Sequence, residues 1–242
     1  MGMNDPDLVA RQYADERGLA ARRRVWDEFR DGPSSDDRTF DAVVQADPRH
    51  LLEVGCGWGA MAERLAQGTA AEIVACDLSP RMVELARGRG VCAFVGSAEA
   101  LPLLDASFDV VLANAMLYHL PELDRGLAEL ARVLTDDGTL VATTFGQGHL
   151  REVWELVGEP AVDLTFGVEN GQEILSRCFD EVEMRHDGAT VTFPNAEEVR
   201  TYVASSITRA SYAYLVPEFE GPLVAQSDFA VFVARLPRRP VR

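Results

Sequence analysis

Short apolar runs alternate with amphipathic segments through the middle of the chain, and this alternation predicts its secondary structure. The apolar runs predict strands at residues 50–54, 72–76, 91–95, 108–114 and 138–145. Helix-periodic segments predict helices at 59–67 and 121–134, and another that opens at Ser79-Pro80 with an N-cap serine and a first-turn proline. Continuous apolar strands separated by helices indicate a parallel sheet covered on both faces. We therefore predict a doubly wound, Rossmann-like α/β fold.

The segments on either side of this core have a different pattern. Residues 4–31 predict one amphipathic helix, and a turn-rich stretch then leads to a short helix ending before Pro48. The later part predicts helices near 150–157, near 169–178 and from Asn195 to about Ser206, and strands at 181–186, 189–193 and 227–236. There is no internal repeat or low-complexity linker. We predict one domain over 1–242, with an N-terminal helical cap at 1–48, a core at 49–146 and a cap insertion at 188–226 before the last strand.

Charge limits the partners that this chain can bind. The 242 residues carry a formal net charge of -16, which disfavours a nucleic-acid or anionic membrane partner. All 23 basic residues are arginine. Schiff-base chemistry and the lysine-containing phosphate loop are therefore excluded, since both need a lysine ammonium. We expect a small-molecule substrate, and the oligomeric state stays open.

The four cysteines are scattered and form no C-x-x-C pair, so disulfide frameworks and zinc sites are not expected. No apolar run approaches the length that spans a membrane. A reducing cytoplasm is the simplest location that this pattern predicts. We also expect no catalytic metal, because the fourth strand is not followed by clustered metal-binding carboxylates.

The stretch LLEVGCGWGAMAERLA, residues 51–66, contains the strongest candidate for a ligand site. Gly55, Gly57 and Ala60 match the G-x-G-x-x-G/A pattern of dinucleotide-binding loops. Glu53, however, would repel a pyrophosphate placed at the following helix N-terminus, at a cost of order one kcal/mol. A ligand with an ammonium group and no phosphate would instead gain from this carboxylate. S-adenosylmethionine is such a ligand, and Asp77 at the end of the second strand could accept both ribose hydroxyls.

Four stretches resemble, in order and spacing, the motifs of class I S-adenosylmethionine-dependent methyltransferases of the small-molecule, type 11-like kind. They are EVGCGWGAMAERL, VACDLSPRMVELAR, GSAEALPLLDASFDVVLANAMLYHL and LAELARVLTDDGTLVATTF, and together they cover about residues 50–146. The resemblance implies a seven-stranded, mostly parallel sheet with a reversed last hairpin. It also implies that S-adenosyl-L-methionine lies across the strand ends.

The same resemblance implies roles for individual residues. The methionine part of the cofactor would be held by Glu53, Gly55, Cys56, Gly57 and Gly59. The nucleoside would be bound by Asp77, Leu78, Met82, Ser97, Ala98, Glu99 and Asn114, the last lying under the reactive sulfur. Ser97 stands where relatives often have an aspartate for the adenine amino group, so Ser97, Glu99 or a backbone carbonyl would replace it.

His119, just past the fourth strand, is the candidate general base or substrate-orienting residue. The alternative is a hydrogen-bonded histidine that only caps the next helix, and His149 is a second candidate. Cys56 is interpreted as a small filler without an adjacent base. Segments 1–40 and 188–226 should form the acceptor pocket. We expect Tyr13, Tyr118 and Tyr202 to contact the substrate.

These features predict methyl transfer from S-adenosylmethionine to oxygen or nitrogen of a small metabolite. Two alternatives remain at this stage. One is an NAD-dependent oxidoreductase, which the glycine pattern also permits, and the other is a non-catalytic, cofactor-binding regulatory protein.

Overall fold

The computed structural model describes residues 4–14, 16–159, 164–206 and 208–238. In chain order, the strands are β1 (Arg30–Asp31), β2 (His50–Val54), β3 (Glu72–Asp77), β4 (Cys92–Val95), β5 (Phe108–Asn114), β6 (Leu134–Phe145), β7 (Phe179–Asp187), β8 (Thr190–Phe193), β9 (Leu223–Gln226) and β10 (Phe229–Pro237). The helices are α1 (Pro6–Gln12), α2 (Arg17–Glu28), α3 (Ser35–Gln45), α4 (Ala60–Gly68), α5 (Pro80–Gly88), α6 (Leu123–Val133), α7 (Arg151–Leu156), α8 (Gly171–Leu175) and α9 (Ala196–Ala204).

Seven strands form the main sheet in the order β4-β3-β2-β5-β6-β10-β7. The pairs β2–β3, β2–β5, β3–β4 and β5–β6 are parallel, whereas β10 runs antiparallel to both β6 and β7. The predicted doubly wound, seven-stranded fold with a reversed final hairpin is confirmed. Strand order reverses between β2 and β5, and ligands bind at such switch points in open α/β sheets.

Helices cover both faces of this sheet, as the unbroken apolar strands predict. Adjacent residues of one strand enter different hydrophobic clusters: Leu52 packs in the cluster that contains Leu127 of α6, and Leu51 in the one that contains Leu65 of α4. All four side chains are fully buried. Since successive strand residues point to opposite faces, each central strand contributes to two cores.

The predicted helix starts at Ser79 and Asn195 are confirmed. The Ser79 hydroxyl accepts a hydrogen bond from the Met82 N–H, and Pro80 occupies the first turn of α5. The Asn195 side chain accepts one from the Glu198 N–H at the start of α9. Each cap satisfies a backbone donor that the helix itself leaves unpaired.

The N-terminal segment differs from the prediction of a single helix over 4–31. Helix α1 ends at Gln12 and α2 begins at Arg17, while Arg30–Asp31 is a strand. The Tyr13 carbonyl accepts a hydrogen bond from the Ser79 hydroxyl at 2.8 Å, so a tertiary contact fixes the chain where the helix breaks. Helical periodicity continues through this break and could not reveal it.

A second, antiparallel sheet with strand order β1-β8-β9 joins the N-terminal segment to the region of the predicted cap insertion. Strand β9 was not predicted. Helix α2, α9 and this sheet share a hydrophobic cluster that includes Val25, Val191 and Val199. The two segments expected to flank the core therefore form one cap. Among the helices described, none is long and apolar enough to cross a membrane.

Candidate active site

A cavity of about 690 Å³ opens at the carboxyl ends of the central strands. Its wall includes the residues that terminate or follow four neighbouring strands: Gly55 after β2, Asp77 on β3, Asn114 on β5 and Phe145 on β6. The predicted site residues that line it are Tyr13, Glu53, Gly55, Cys56, Gly57, Asp77, Leu78, Ser97, Ala98, Glu99, Asn114, Tyr118, His119 and Tyr202. The fold thus brings together nearly the whole predicted set.

The glycine loop lies against the wall because its backbone adopts conformations that other residues avoid. Gly55 and Gly57 have φ values of 70° and 54°. The N–H groups of Gly55 and Cys56 both donate to the Cys76 carbonyl, at 2.8 and 3.0 Å. A Cβ on Gly55 would lie 2.8 Å from Cγ of Met116. Glycine is therefore required here both by the left-handed backbone and by the close packing.

Two predicted cofactor residues lie outside the wall. Met82 is fully buried on α5, and Gly59 is the left-handed N-cap of α4, where a Cβ would lie 2.7 Å from Cβ of Ala86. In the structure Met82 packs in the core and Gly59 lets α4 approach α5, and a cofactor contact for either residue stays a prediction.

Asp77 connects the glycine loop to the start of α5. One carboxylate oxygen accepts a hydrogen bond from the Gly57 N–H and the other from the Ser79 N–H, both at 2.8 Å. A carboxylate has about four acceptor positions, so each oxygen can take a further donor. Burial raises the pKa of this carboxyl. A ligand with two adjacent hydroxyls would supply the missing donors, in keeping with the predicted ribose contact.

Glu53 is the most strongly perturbed acid at the wall. Its side chain is only 2% exposed, and its Oε2 atom is buried without a hydrogen-bond partner. Burial first, and then the nearby carboxylates of Asp36 and Asp77, raise its pKa to about 8. The Oδ1 atom of Asn114 is also a buried acceptor without a partner. Such groups are costly unless something donates to them, so this end of the cavity suits a cationic N–H donor.

S-adenosylmethionine fits this acidic end, which we define as Glu53, Asp77, Asp36 and Asn114. Its ammonium would pair with the unsatisfied Glu53 oxygen, and its ribose hydroxyls with Asp77. A pyrophosphate has only acceptor oxygens and would bring neither a donor nor a positive charge to Glu53. Burial also raises the pKa of the Cys56 thiol, in keeping with its interpretation as a filler rather than a nucleophile.

The segment expected to contact adenine is already hydrogen-bonded to the protein. The Ser97 hydroxyl accepts from the Glu99 N–H at 3.2 Å, and a Glu99 carboxylate oxygen accepts from the Glu122 N–H at 2.7 Å. Ala98 is buried between them. The choice among Ser97, Glu99 and a backbone carbonyl as the adenine acceptor stays a prediction.

Comparison with known proteins gives a consistent result. A family model described as a methyltransferase domain matches residues 52–142. The chain is 34% identical over 151 residues to the malonyl-[acyl-carrier protein] O-methyltransferase of Geobacter sulfurreducens, covering 54% of this chain and 57% of that protein. The protein of the same name from Halorhodospira halophila is 32% identical over 179 residues, covering 67% of this chain and 60% of the relative.

A solved structure matches over nearly the whole chain. Phosphoethanolamine N-methyltransferase 2 of Haemonchus contortus, in complex with phosphomonomethylethanolamine and S-adenosylhomocysteine, superposes with a TM-score of 0.65 at 18% identity, covering 98% of this chain and 61% of that one. Residues 52–142 of the chain therefore form a methyltransferase domain, and the superposition shows that the chain shares the fold of this S-adenosylhomocysteine-bound enzyme. A methyltransferase domain is in keeping with S-adenosyl-L-methionine, the cofactor expected from the sequence. The chain spans 57% and 60% of the length of the two curated relatives named above. Neither the oxidoreductase nor the non-catalytic alternative finds support in these matches.

In this chain, His119 lies at the junction of the N-terminal segment and the strand ends. Its Nε2 atom is 3.1 Å from the Tyr13 hydroxyl, and its ring packs edge-on against Tyr118. Burial raises the pKa of Tyr13, and the Gln12 side chain also hydrogen-bonds the phenol oxygen. The neutral Tyr13 hydroxyl thus accepts from Gln12 and shares a hydrogen bond with Nε2 of His119, in which the histidine tautomer decides the donor. In either tautomer, Nε2 of His119 is hydrogen-bonded to Tyr13.

His149, the second candidate, is a neutral wall residue. Burial lowers its pKa to about 4, and its Nδ1 atom lies 3.2 Å from the Asp228 carbonyl oxygen. The ring packs against Phe145 and Trp26 with centroid separations of 4.3 and 5.5 Å. His149 therefore shapes the cavity without carrying charge.

The far end of the cavity is aromatic and is formed by the cap and the N-terminal helices. Tyr13, Tyr118 and Tyr202 are all at the wall, as predicted. The sequence interpretation missed Trp154 on α7 and Arg209 after α9, which also line it. No local motif marks these two residues, and only the folding of the cap brings them to the cavity.

Proposed function

We propose that this protein transfers the methyl group of S-adenosylmethionine to an oxygen of a small organic acid, free or held as a thioester. The observation that carries the methyl-donor half of the proposal is the buried Oε2 atom of Glu53, a residue that lines the cavity with Asp77, because this atom has no hydrogen-bond partner among the described residues. A cationic nucleoside satisfies this atom, whereas a dinucleotide does not.

The residues at the acidic end bind and orient the cofactor. Glu53 would hold the ammonium, Asp77 the ribose, and the backbone of Gly55 and Gly57 would lie along the methionine chain. When bound, S-adenosylmethionine supplies an electrophilic methyl, and the electron pair of the broken carbon–sulfur bond stays on sulfur. The protein then needs chiefly to place the acceptor oxygen in line with that bond, because alignment alone accounts for a large part of the rate.

The acid acceptor is supported by the state of His119. Its Nε2 atom is hydrogen-bonded to the Tyr13 hydroxyl, so this imidazole nitrogen would have to give up that contact to deprotonate an alcohol or an amine. A carboxylate needs no base because it is already ionised near neutral pH. The two curated relatives named above are O-methyltransferases of malonyl-[acyl-carrier protein], which is consistent with an acid bound to a carrier.

The test is methyl transfer from isotopically labelled S-adenosylmethionine, followed by mass spectrometry of the products. The acceptors are malonyl-N-acetylcysteamine, a set of free mono- and dicarboxylic acids, and matched amines and alcohols. We expect methyl esters from one or more acids, no product from the amines, and no product with Asp77→Asn. Methylation of amines alone would overturn the acid acceptor, while binding of NAD in place of S-adenosylhomocysteine would overturn the methyl-transfer function itself.

A further inference from the structure

Arg209 lines the acceptor end of the cavity and carries a cationic nitrogen that has no partner among the described residues. Its guanidinium carbon lies 3.9 Å from the ring centroid of Trp154, and this nitrogen, Nη1, is buried. The residue lines the cavity together with Trp154 and Tyr202. None of the proposed contacts with the cofactor involves Arg209.

A guanidinium buried in this way is costly unless something neutralises it. Burial lowers the pKa of Arg209, and the negative charge of the nearby Glu159 carboxylate raises it by a smaller amount. Glu159 is also hydrogen-bonded to Tyr212. A buried cationic N–H without an acceptor loses hydration that nothing in the protein replaces. An anionic ligand group at Nη1 would restore the missing interaction.

The guanidinium is held in one orientation before any ligand arrives. Trp154 stacks against it, and the Trp154 indole N–H donates to the His149 carbonyl at 3.2 Å. Stacking on an aromatic face fixes the plane of an arginine, so little side-chain freedom remains to be lost when an anion binds. This is the arrangement expected of a recognition residue.

Two arginines act on the acceptor end of the cavity. Glu53 and Asp77 lie at the cofactor end, whereas Arg22 and Arg209 act electrostatically on Tyr202 at the acceptor end. Arg22 donates to the Ser205 carbonyl at 2.7 Å and so is already engaged with the cap. The Nη1 atom of Arg209 keeps its full capacity to donate.

We infer that Arg209 is the specificity-determining residue that binds the carboxylate of the acceptor. This deepens the proposed function and rests on it. The Nη1 donor engages one carboxylate oxygen, and the second oxygen stays free to attack the methyl carbon. Trp154 stacks beneath the guanidinium and keeps the donor aimed into the cavity.

The test uses phenylacetate and phenylacetamide, which share size and shape and differ in charge. Both are titrated by calorimetry or saturation-transfer NMR into protein saturated with S-adenosylhomocysteine. We expect the wild type to bind the acid more tightly than the amide, by about tenfold or more, because a hydrogen bond to a charged group contributes more than a neutral one. Arg209→Gln should abolish this preference and leave amide binding unchanged, and Arg209→Lys should retain part of it.

Arg200→Gln is the matched control, since Arg200 lies on α9 and pairs with Glu218 at 2.7 Å. It should behave as the wild type. The affinity for S-adenosylhomocysteine shows that each variant is folded, and it should be the same in all of them. Equal binding of acid and amide by the wild type, no binding of either, or a retained preference in Arg209→Gln would overturn the inference. Loss of S-adenosylhomocysteine binding by the wild type would instead overturn the proposed function.

Discussion

The Tyr13 hydroxyl and the Nε2 atom of His119 lie 3.1 Å apart, although 106 residues separate them in the chain. Tyr13 is also held through its carbonyl by the Ser79 hydroxyl at the start of α5. These two contacts fasten the N-terminal segment across the carboxyl ends of the strands. The segment thereby forms the wall of the cavity where the cofactor and acceptor ends meet.

Tyr13 and His119 should therefore act as a unit in turnover. We expect Tyr13→Phe and His119→Ala each to lower kcat by about fivefold, the worth of roughly one hydrogen bond. The double variant should be no slower than the slower single variant, because both changes remove the same contact. The measurement is kcat for the wild type, the two single variants and the double variant. All four should bind S-adenosylhomocysteine with the same affinity. Strictly multiplicative effects would show that the two residues act independently.

Glu53→Gln should stabilise the free protein, and by more near pH 8 than near pH 5. The folded-state pKa of Glu53 is raised to about 8 from 4.5. The stability that the protonated carboxyl contributes is fully present below the pKa of the unfolded state. It is lost as the pH rises through the pKa of the folded state. Glutamine does not titrate, so the variant keeps that stability, and the gain at about pH 8 should be a few kcal/mol.

Urea unfolding at several pH values measures this difference. Glu72→Gln is the control, because Glu72 is 84% exposed and should give no pH-dependent gain. Parallel stability–pH curves for Glu53→Gln and the wild type would show that Glu53 is ionised in the free protein.

Asp77→Asn should weaken S-adenosylhomocysteine binding by about a hundredfold, because two charge-assisted hydrogen bonds to the ribose are lost. Asp109 is a matched control. It also bridges backbone N–H groups, those of Arg49 and His50 at 3.0 and 3.1 Å, but at the amino end of β2. Asp109→Asn should lower the melting temperature and leave the affinity unchanged. Calorimetry of both variants decides the matter, and equal losses of affinity would rule out a specific contact at Asp77.

Gly59→Ala should destabilise the fold more than Gly90→Ala. Both glycines are left-handed, with φ values of 80° and 84°, but a Cβ would lie 2.7 Å from Cβ of Ala86 at Gly59 and meets nothing within 4 Å at Gly90. At Gly90 the strained backbone alone should lower the free energy of unfolding by about 1 kcal/mol. At Gly59 the overpacked Cβ adds to this strain, and the free energy of unfolding should fall by about 2–4 kcal/mol. The measurement is the free energy of unfolding in urea, and equal losses would argue against the packing contribution.

The parallel core was predictable because each of its strands is an uninterrupted apolar run between helices. Strand Phe108–Asn114 was predicted with its observed ends, and Asp77 was expected at the end of the strand that the structure gives as Glu72–Asp77. The acidic character of the site also followed from the sequence, since Glu53 is the last residue but one, and Asp77 the last, of two adjacent parallel strands. The local sequence pattern is enough to predict a site when its residues lie at the carboxyl ends of neighbouring parallel strands, because the sheet itself then places them together.

The cap was less predictable because long-range contacts decide it. Strand Arg30–Asp31 exists only by pairing with Val191 and Thr190, and no apolar alternation marks it. Arg209 and Trp154 meet only after the cap folds, so neither could be assigned from its neighbours in the chain. The same reason hid the Tyr13–His119 contact, although both residues were separately expected at the site.

The most direct test of the account is calorimetric titration of S-adenosylhomocysteine, run near pH 7 in two buffers of different ionisation enthalpy. Free Glu53, with a pKa of about 8, is mostly protonated under these conditions and must ionise to pair with the ligand ammonium. The account predicts binding that releases about one proton in the wild type and none in Glu53→Gln, which should bind weakly. Binding without proton release, or binding of NAD in place of S-adenosylhomocysteine, would contradict it.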